Sequence, residues 1–432
     1  MNKMRKKRSL AICLLLIGLS GIWGCGSIAA DPGEEREGLN EKTTDGITAG
    51  QEERQKETVT DSGQDKEETD ENGSEAKRYE LPGLVYEDST KLSYAENFAV
   101  DHYEGGYTLL TVIPDEKKYL LVPEGGEIPE ELSKDITVIR RPVQNIYLVA
   151  SAVMDLFDAL DGLDSIAFSG QQQENWYIDS AKQAMEEGRI VYAGKYSKPD
   201  YELLVAKGCE LAIENRMILH TPEVLEKLET FDIPAIVECS SYENHPLGRV
   251  EWVRFWGALL GKEKEAEQIF AKQTELLDQV TSDRKTGKTV AFFYFTSNGM
   301  VQVRQSSDYV PKMIELAGGT YIFEDLGDAD SKRSTVNMQL EDFYKGAKEA
   351  DFLIYNSAID GGVASVDDLL KKCGLLKDFK AVKEGNVWCT SNDLYQQTLS
   401  IGYLIADIHG MLTGADEGEM QYLLKCKDAT TP

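Results

Sequence analysis

Nine side chains of this 432-residue chain combine the size and polarity needed to grip a large solute: Arg216, Arg304, His245, Trp176, Tyr177, Tyr196, Tyr242, Tyr294 and Tyr395. Rings supply contact area, and a guanidinium pairs with carboxylate or catecholate oxygens through a planar fork of donors. Amides such as Gln171, Asn215, Asn356 and Gln396 stand close by in sequence and would set orientation. The mixture suits binding of a large, partly flat ligand with polar rim groups. Each residue also has a plainer reading: a ring can pack beneath a loop, and an internal Asp or Glu can satisfy either arginine. Covalent chemistry has less support, because no GxSxG, HExxH, P-loop or GxGxxG string occurs. The four histidines, His102, His220, His245 and His409, lie far apart, so neither a Zn²⁺ or Mn²⁺ site nor a resident cofactor is expected. Axial haem ligation by His245 or a tyrosine has no supporting spacing.

The elements that must position these residues are legible from periodicity. Residues 107–113 and 118–122 flank Pro114-Asp115-Glu116 and read as a hairpin. Strands at 136–139, 146–149, 165–168, 190–192, 211–213 and 235–238 then alternate with helices at 152–160, 176–187, 200–207 and 222–229. Strict alternation argues a mostly parallel sheet with helices on both faces. Pro246 opens a helix whose apolar residues Trp252, Phe255, Trp256, Leu259 and Leu260 form the stripe of a helix packed on one side; Gly261 ends it, and a second helix follows over 263–282. The alternation restarts with strands at 290–295, 301–304, 352–355 and 386–389 and helices at 308–317, 338–348, 365–372 and 398–412. The expected fold is α/β: two Rossmann-like lobes, 81–245 and 284–432, each with its own core, joined by rigid connecting helices over 246–283. Ligands of open parallel sheets sit at the carboxyl ends of strands, so the nine residues would face a cleft between the lobes.

The first eighty residues are of another kind. Lys3, Arg5, Lys6, Lys7 and Arg8 precede a short apolar run, the plan of an export signal over 1–24. Ile22-Trp23-Gly24-Cys25 resembles the bacterial lipobox, with Trp23 where a small residue is usual, and implies that Cys25 is lipidated. Two lipid attachments would bury on the order of 20 kcal/mol of chain at about 0.8 per methylene, a permanent anchor. Residues 31–80 carry 17 Asp and Glu against 7 Lys and Arg with almost no aliphatic side chains, so the segment 25–80 reads as a disordered acidic tether. The chain as a whole has a formal charge of -29, which speaks against nucleic acid as a partner. Cys209, Cys239, Cys373, Cys389 and Cys426 show no CxxC spacing and indicate no zinc site or disulfide framework.

Four stretches, in order, resemble the substrate-binding lipoproteins of ABC importers, in the class with one rigid connecting helix that handles iron-siderophores, haem and cobalamin. AVMDLFDALDGLD (152–164) is similar to that family's first-lobe helix, and HPLGR with FWGALLGKEKEAEQIF (245–270) to its connecting helix. SSDYVPKMIELAGG (306–319) and FKAVKEGNVWCTS (379–391) resemble its second-lobe helix and strand. The resemblance covers roughly residues 90–415. It implies a monomeric protein, lipid-anchored outside the cytoplasmic membrane, that captures an iron complex, haem or a corrinoid and delivers it to a permease and its ATPase. It also implies one docking acid per lobe: Asp155, shorter than the family's usual Glu, and Glu315, with Asp308 as competitor. Either acid alone could instead be a solvated helix residue. The alternative is a cell-surface hydrolase or cofactor-processing enzyme on the same fold, since a carboxylate pair in the cleft could act as acid and base.

Overall fold

The computed structural model describes residues 80–280, 285–327, 334–415, 418 and 420–427. The signal, Cys25 and all but the last residue of the acidic stretch lie outside them. The globular part opens with β1 (Tyr86–Ser89), β2 (Phe98–Tyr103), β3 (Tyr107–Val112), β4 (Lys117–Val122) and β5 (Ile136–Arg140), which pair in that order. The β3–β4 ladder is the expected hairpin. Residues 136–139 are a correction: β5 runs parallel to β4 in this separate sheet and does not join the parallel one. Alternation of apolar residues fixes a strand's faces but leaves its partner open.

The parallel sheet of the first lobe has the order β12-β11-β6-β7-β8, from β6 (Ile146–Leu148), β7 (Ile166–Ser169), β8 (Val191–Tyr192), β11 (Leu211–Glu214) and β12 (Ala235–Val237). A small hairpin, β9 (Gly194–Lys195) and β10 (Lys198–Pro199), follows β8. Helices α1 (Ser151–Ala159), α2 (Asp179–Glu186), α3 (Tyr201–Ala206) and α4 (Pro222–Thr230) fill the crossovers. Next come α5 (Pro246–Leu260) and α6 (Glu263–Val280), separated at Gly261, whose φ of 67° supplies the left-handed turn that ends α5.

In the second lobe β13 (Thr289–Phe295), β14 (Val301–Arg304), β15 (Thr320–Tyr321), β16 (Thr335–Met338), β17 (Phe352–Tyr355), β18 (Val387–Thr390) and β19 (Leu423–Lys425) form a mixed sheet around the parallel trio β13-β17-β18. Its helices are α7 (Tyr309–Leu316), α8 (Leu340–Ala347), α9 (Val366–Lys372), α10 (Lys380–Lys383) and α11 (Ile401–Thr413).

Two expectations about packing give way here. The stripe on α5 predicts one buried face, whereas every residue of α5 except Arg254 and Leu260 is buried. Nor is the core divided by lobe: one apolar cluster runs from Ala95 through α5 to Ile405 and Leu423, with satellite clusters on the outer side of each sheet. Burial on all sides brings polar groups inside, where they need partners. Glu251 of α5 accepts the backbone N–H groups of Ser93, Tyr94 and Ala95, each at 2.8 Å, and Glu243 accepts those of Glu96 and Asn97 together with the Trp252 indole N–H. Two carboxylates thus satisfy five consecutive amides that have no ladder of their own.

Candidate functional site

The polar side chains of the two lobes meet where α5 passes the start of α7. Arg249 stacks on Tyr309, its guanidinium carbon 4.0 Å from the ring centroid. Arg304, at the end of β14, lies 5.7 Å from the same ring on the second-lobe side, 3.6 Å from the Asp308 carboxylate, and donates to the Tyr395 hydroxyl. Asn356 donates to that hydroxyl at 2.7 Å. On the first-lobe side Arg216 pairs with Asp115 at 2.5 Å and sits 5.1 Å from the ring of Tyr242. Glu238, buried between these groups, accepts the Ser240 N–H at 2.8 Å. Burial pushes its carboxyl up, while the Ser240 bond, Arg249 and Arg216 pull the other way. Burial likewise raises the Tyr309 hydroxyl to about 12, against the pull of Arg249 and Arg304. Three permanent cations and three acids are therefore packed around aromatic rings, an arrangement suited to recognition of charge.

The nine residues singled out from sequence divide into groups. Arg304, Tyr395 and half-buried Tyr294 stand together in the second lobe, and Arg216 and Tyr242 together in the first. For both arginines the plainer reading holds in part, since each has an internal acid. Trp176 is a correction: it is 1% exposed and donates its indole N–H to Ser169 at 3.0 Å, a core residue beneath its loop. Tyr196 packs against the outer cluster of the first lobe. Tyr177 is exposed, and its backbone N–H reaches Gln396 across the lobes at 2.8 Å.

His245 caps α5, accepting the Leu247 N–H at 3.2 Å, and stacks on Tyr94 with centroids 4.4 Å apart. Burial and then Lys312 lower its pKa, which favours the neutral ring at physiological pH. With Asn244 it forms one wall of a 410 Å³ cavity whose other wall includes Ser306, Asp308, Lys312 and Glu315. Among the described residues no group of three or more His, Cys, Asp or Glu is placed to hold a metal ion.

Of the acids matched to docking positions, only Glu315 faces solvent, bonded to Lys312 at 2.8 Å. Asp308 is buried as the cap of α7, accepting the Val310 N–H. Asp155 is turned inward: its carboxylate accepts the Leu399 N–H at 2.7 Å, beside a bond from Thr398 to the Ala152 carbonyl. Helical periodicity places Asp155 on a face without revealing that the second lobe covers it.

Arg249 and Tyr309, the pair that joins the two groups, were not among the nine. A signal for Arg249 exists in hindsight, since it lies one helical turn after His245.

No family model matches the chain. It is similar to an uncharacterized lipoprotein of Methanocaldococcus jannaschii, 25% identical over 333 residues, which is 71% of this chain and 77% of the relative. Among solved structures it resembles a periplasmic heme binding protein of Pseudomonas aeruginosa, with TM-score 0.52 and 14% identity over 66% of this chain and 99% of that one. The catecholate-siderophore binding protein VctP of Vibrio cholerae gives TM-score 0.50 and 11% identity over 64% and 95% of the two chains. The fold is that of the two-lobed periplasmic binding proteins.

Proposed function

We propose that this protein is an extracytoplasmic solute-binding protein, anchored through lipid on Cys25, that captures an iron-siderophore, haem or a corrinoid between its lobes and hands it to an ABC importer. The observation that carries this reading is the cluster at the α5–α7 seam, where Arg249 of one side stacks on Tyr309 of the other and charged and aromatic groups from both lobes converge. The fold shared with a heme binding and a siderophore binding protein supports it, as does the lipoprotein relative. The chain's own task is to bind, orient and present; no covalent step is asked of it. Glu315 is the second-lobe acid available to a permease arginine, and the cytoplasmic ATPase supplies the work of transport.

Calorimetric titration of the full-length protein with haemin, cobalamin and a panel of ferric siderophores tests the reading. One ligand saturating at submicromolar concentration is expected. Silence across the panel, from protein shown to be folded, would overturn it.

A further inference from the structure

Arg216 and Arg304 each lie within 3.6 Å of a carboxylate, Asp115 and Asp308 respectively. Arg249, buried to 7% exposure, has none within salt-bridge distance among the described residues. Its hydrogen bonding is lopsided as well. Nη1 donates to the Ser241 carbonyl at 3.2 Å, Nη2 makes no bond among the described residues, and Nε is buried without a partner there. Arg216 and Arg254 share that last feature, which counts here because Arg249 alone of the three also lacks an ion pair among the described residues. Nε and Nη2 form one edge of the guanidinium, the edge that takes both oxygens of a planar anion side by side. Stacking on Tyr309 at 4.0 Å holds that plane in place. A guanidinium keeps its charge at any ordinary pH, so burying it without an ion pair is strongly unfavourable unless something else compensates. The remaining acid of the cluster, Glu238, spends one oxygen on Ser240 and its ionisation is opposed by burial.

We infer that Arg249 is the residue that selects for an anionic ligand, receiving a carboxylate or catecholate group on its Nε–Nη2 edge. The inference rests on the solute-binding reading and narrows it: the ligand carries at least one acidic group, and neutral chelates of the same size are discriminated against. Arg216 and Arg304, already paired, would then hold the walls of the site, with Tyr309 as the plate against which Arg249 is fixed.

The test uses the full-length protein and two probe pairs matched in shape but not charge: haemin against its dimethyl ester, and a ferric tris-catecholate against a ferric tris-hydroxamate. Wild type should bind an anionic probe at least about tenfold more tightly than its neutral counterpart, the scale of one charge-assisted bidentate pair. Arg249→Met should erase that preference, and Arg249→Lys, which keeps the charge and loses the fork, should fall between. Equal affinity of wild type and Arg249→Met for the anionic probe would overturn the assignment. Should Arg249→Met fail to fold, the preference of wild type within each pair and the behaviour of Arg249→Lys decide. Tight binding of neutral probes alone would sink this inference and leave the solute-binding reading intact, whereas no binding by any probe would sink that reading itself.

Discussion

The carboxylate of Asp155 on α1 accepts the backbone N–H of Leu399 at 2.7 Å, so an acid of the first lobe caps the turn that leads into the last long helix of the second. Gln396 adds two more bonds between the lobes, from the Tyr177 N–H and to the Asn175 carbonyl. Burial is the main cause that raises Asp155 to about 6; the Leu399 bond opposes it, and Asp158 and Asp393 add to it. The folded protein therefore holds a proton there that the unfolded chain releases near its ordinary value of 3.8. The stability gained is full below that value and is lost as pH rises to about 6. Asp155→Asn removes the titration, so its melting temperature relative to wild type should climb between pH 4 and pH 6 and then level off. A constant offset across a pH series of melting curves would show that Asp155 does not titrate in this range.

Glu214, at the end of β11, is fully buried and neither carboxylate oxygen has a hydrogen-bond partner among the described residues. Burial raises it to about 8, again the case in which ionisation costs stability as pH climbs from the ordinary carboxylate range to that value. Glu214→Gln should gain on wild type steadily between pH 5 and pH 8, a wider and more basic window than that of Asp155. Denaturant midpoints of the two proteins at pH 5, 6.5 and 8 would reveal it, and parallel pH dependence would contradict it.

Loss of the Glu251 carboxylate would orphan three backbone amides, that of Ala95 buried, and one end of the Arg254 guanidinium. Glu251→Ala should therefore cost ~3–5 kcal/mol in chemical denaturation. Glu267, the exposed second partner of Arg254, is the contrast. Glu267→Ala should cost less than ~1 kcal/mol, and similar losses in both variants would refute this account of how residues 93–97 are held.

Cys25→Ser should release the protein from membranes into the soluble fraction with its ligand affinity unchanged. Fractionation of cells expressing the two forms checks this, and continued membrane association of the variant would argue for an uncleaved apolar anchor instead.

Glu315→Arg should leave calorimetric affinity for the ligand as it is and strongly reduce uptake of that ligand by cells, because the exposed acid would present the wrong sign to a permease arginine. Undiminished uptake would remove Glu315 from the docking surface.

Local order was written in the sequence. Apolar alternation and helical stripes placed the hairpin at 107–122, the β–α alternation and the stop at Gly261, because burial of one side of a strand or helix leaves a period that neighbouring residues share. Pairing between distant segments leaves no such trace. The Asp115–Arg216 ion pair spans 101 residues and the Asp155–Leu399 bond 244, and nothing near either acid announces its partner. The same holds for β5, whose alternation suits either sheet, and for α5, whose stripe marks one face although every residue but Arg254 and Leu260 is buried. Residue types singled out a set of rings and arginines; only tertiary packing decided that Arg216 and Arg304 are matched by acids and that Arg249, among the described residues, is not. Charge compensation is a property of three-dimensional neighbourhood, set by where the chain returns on itself.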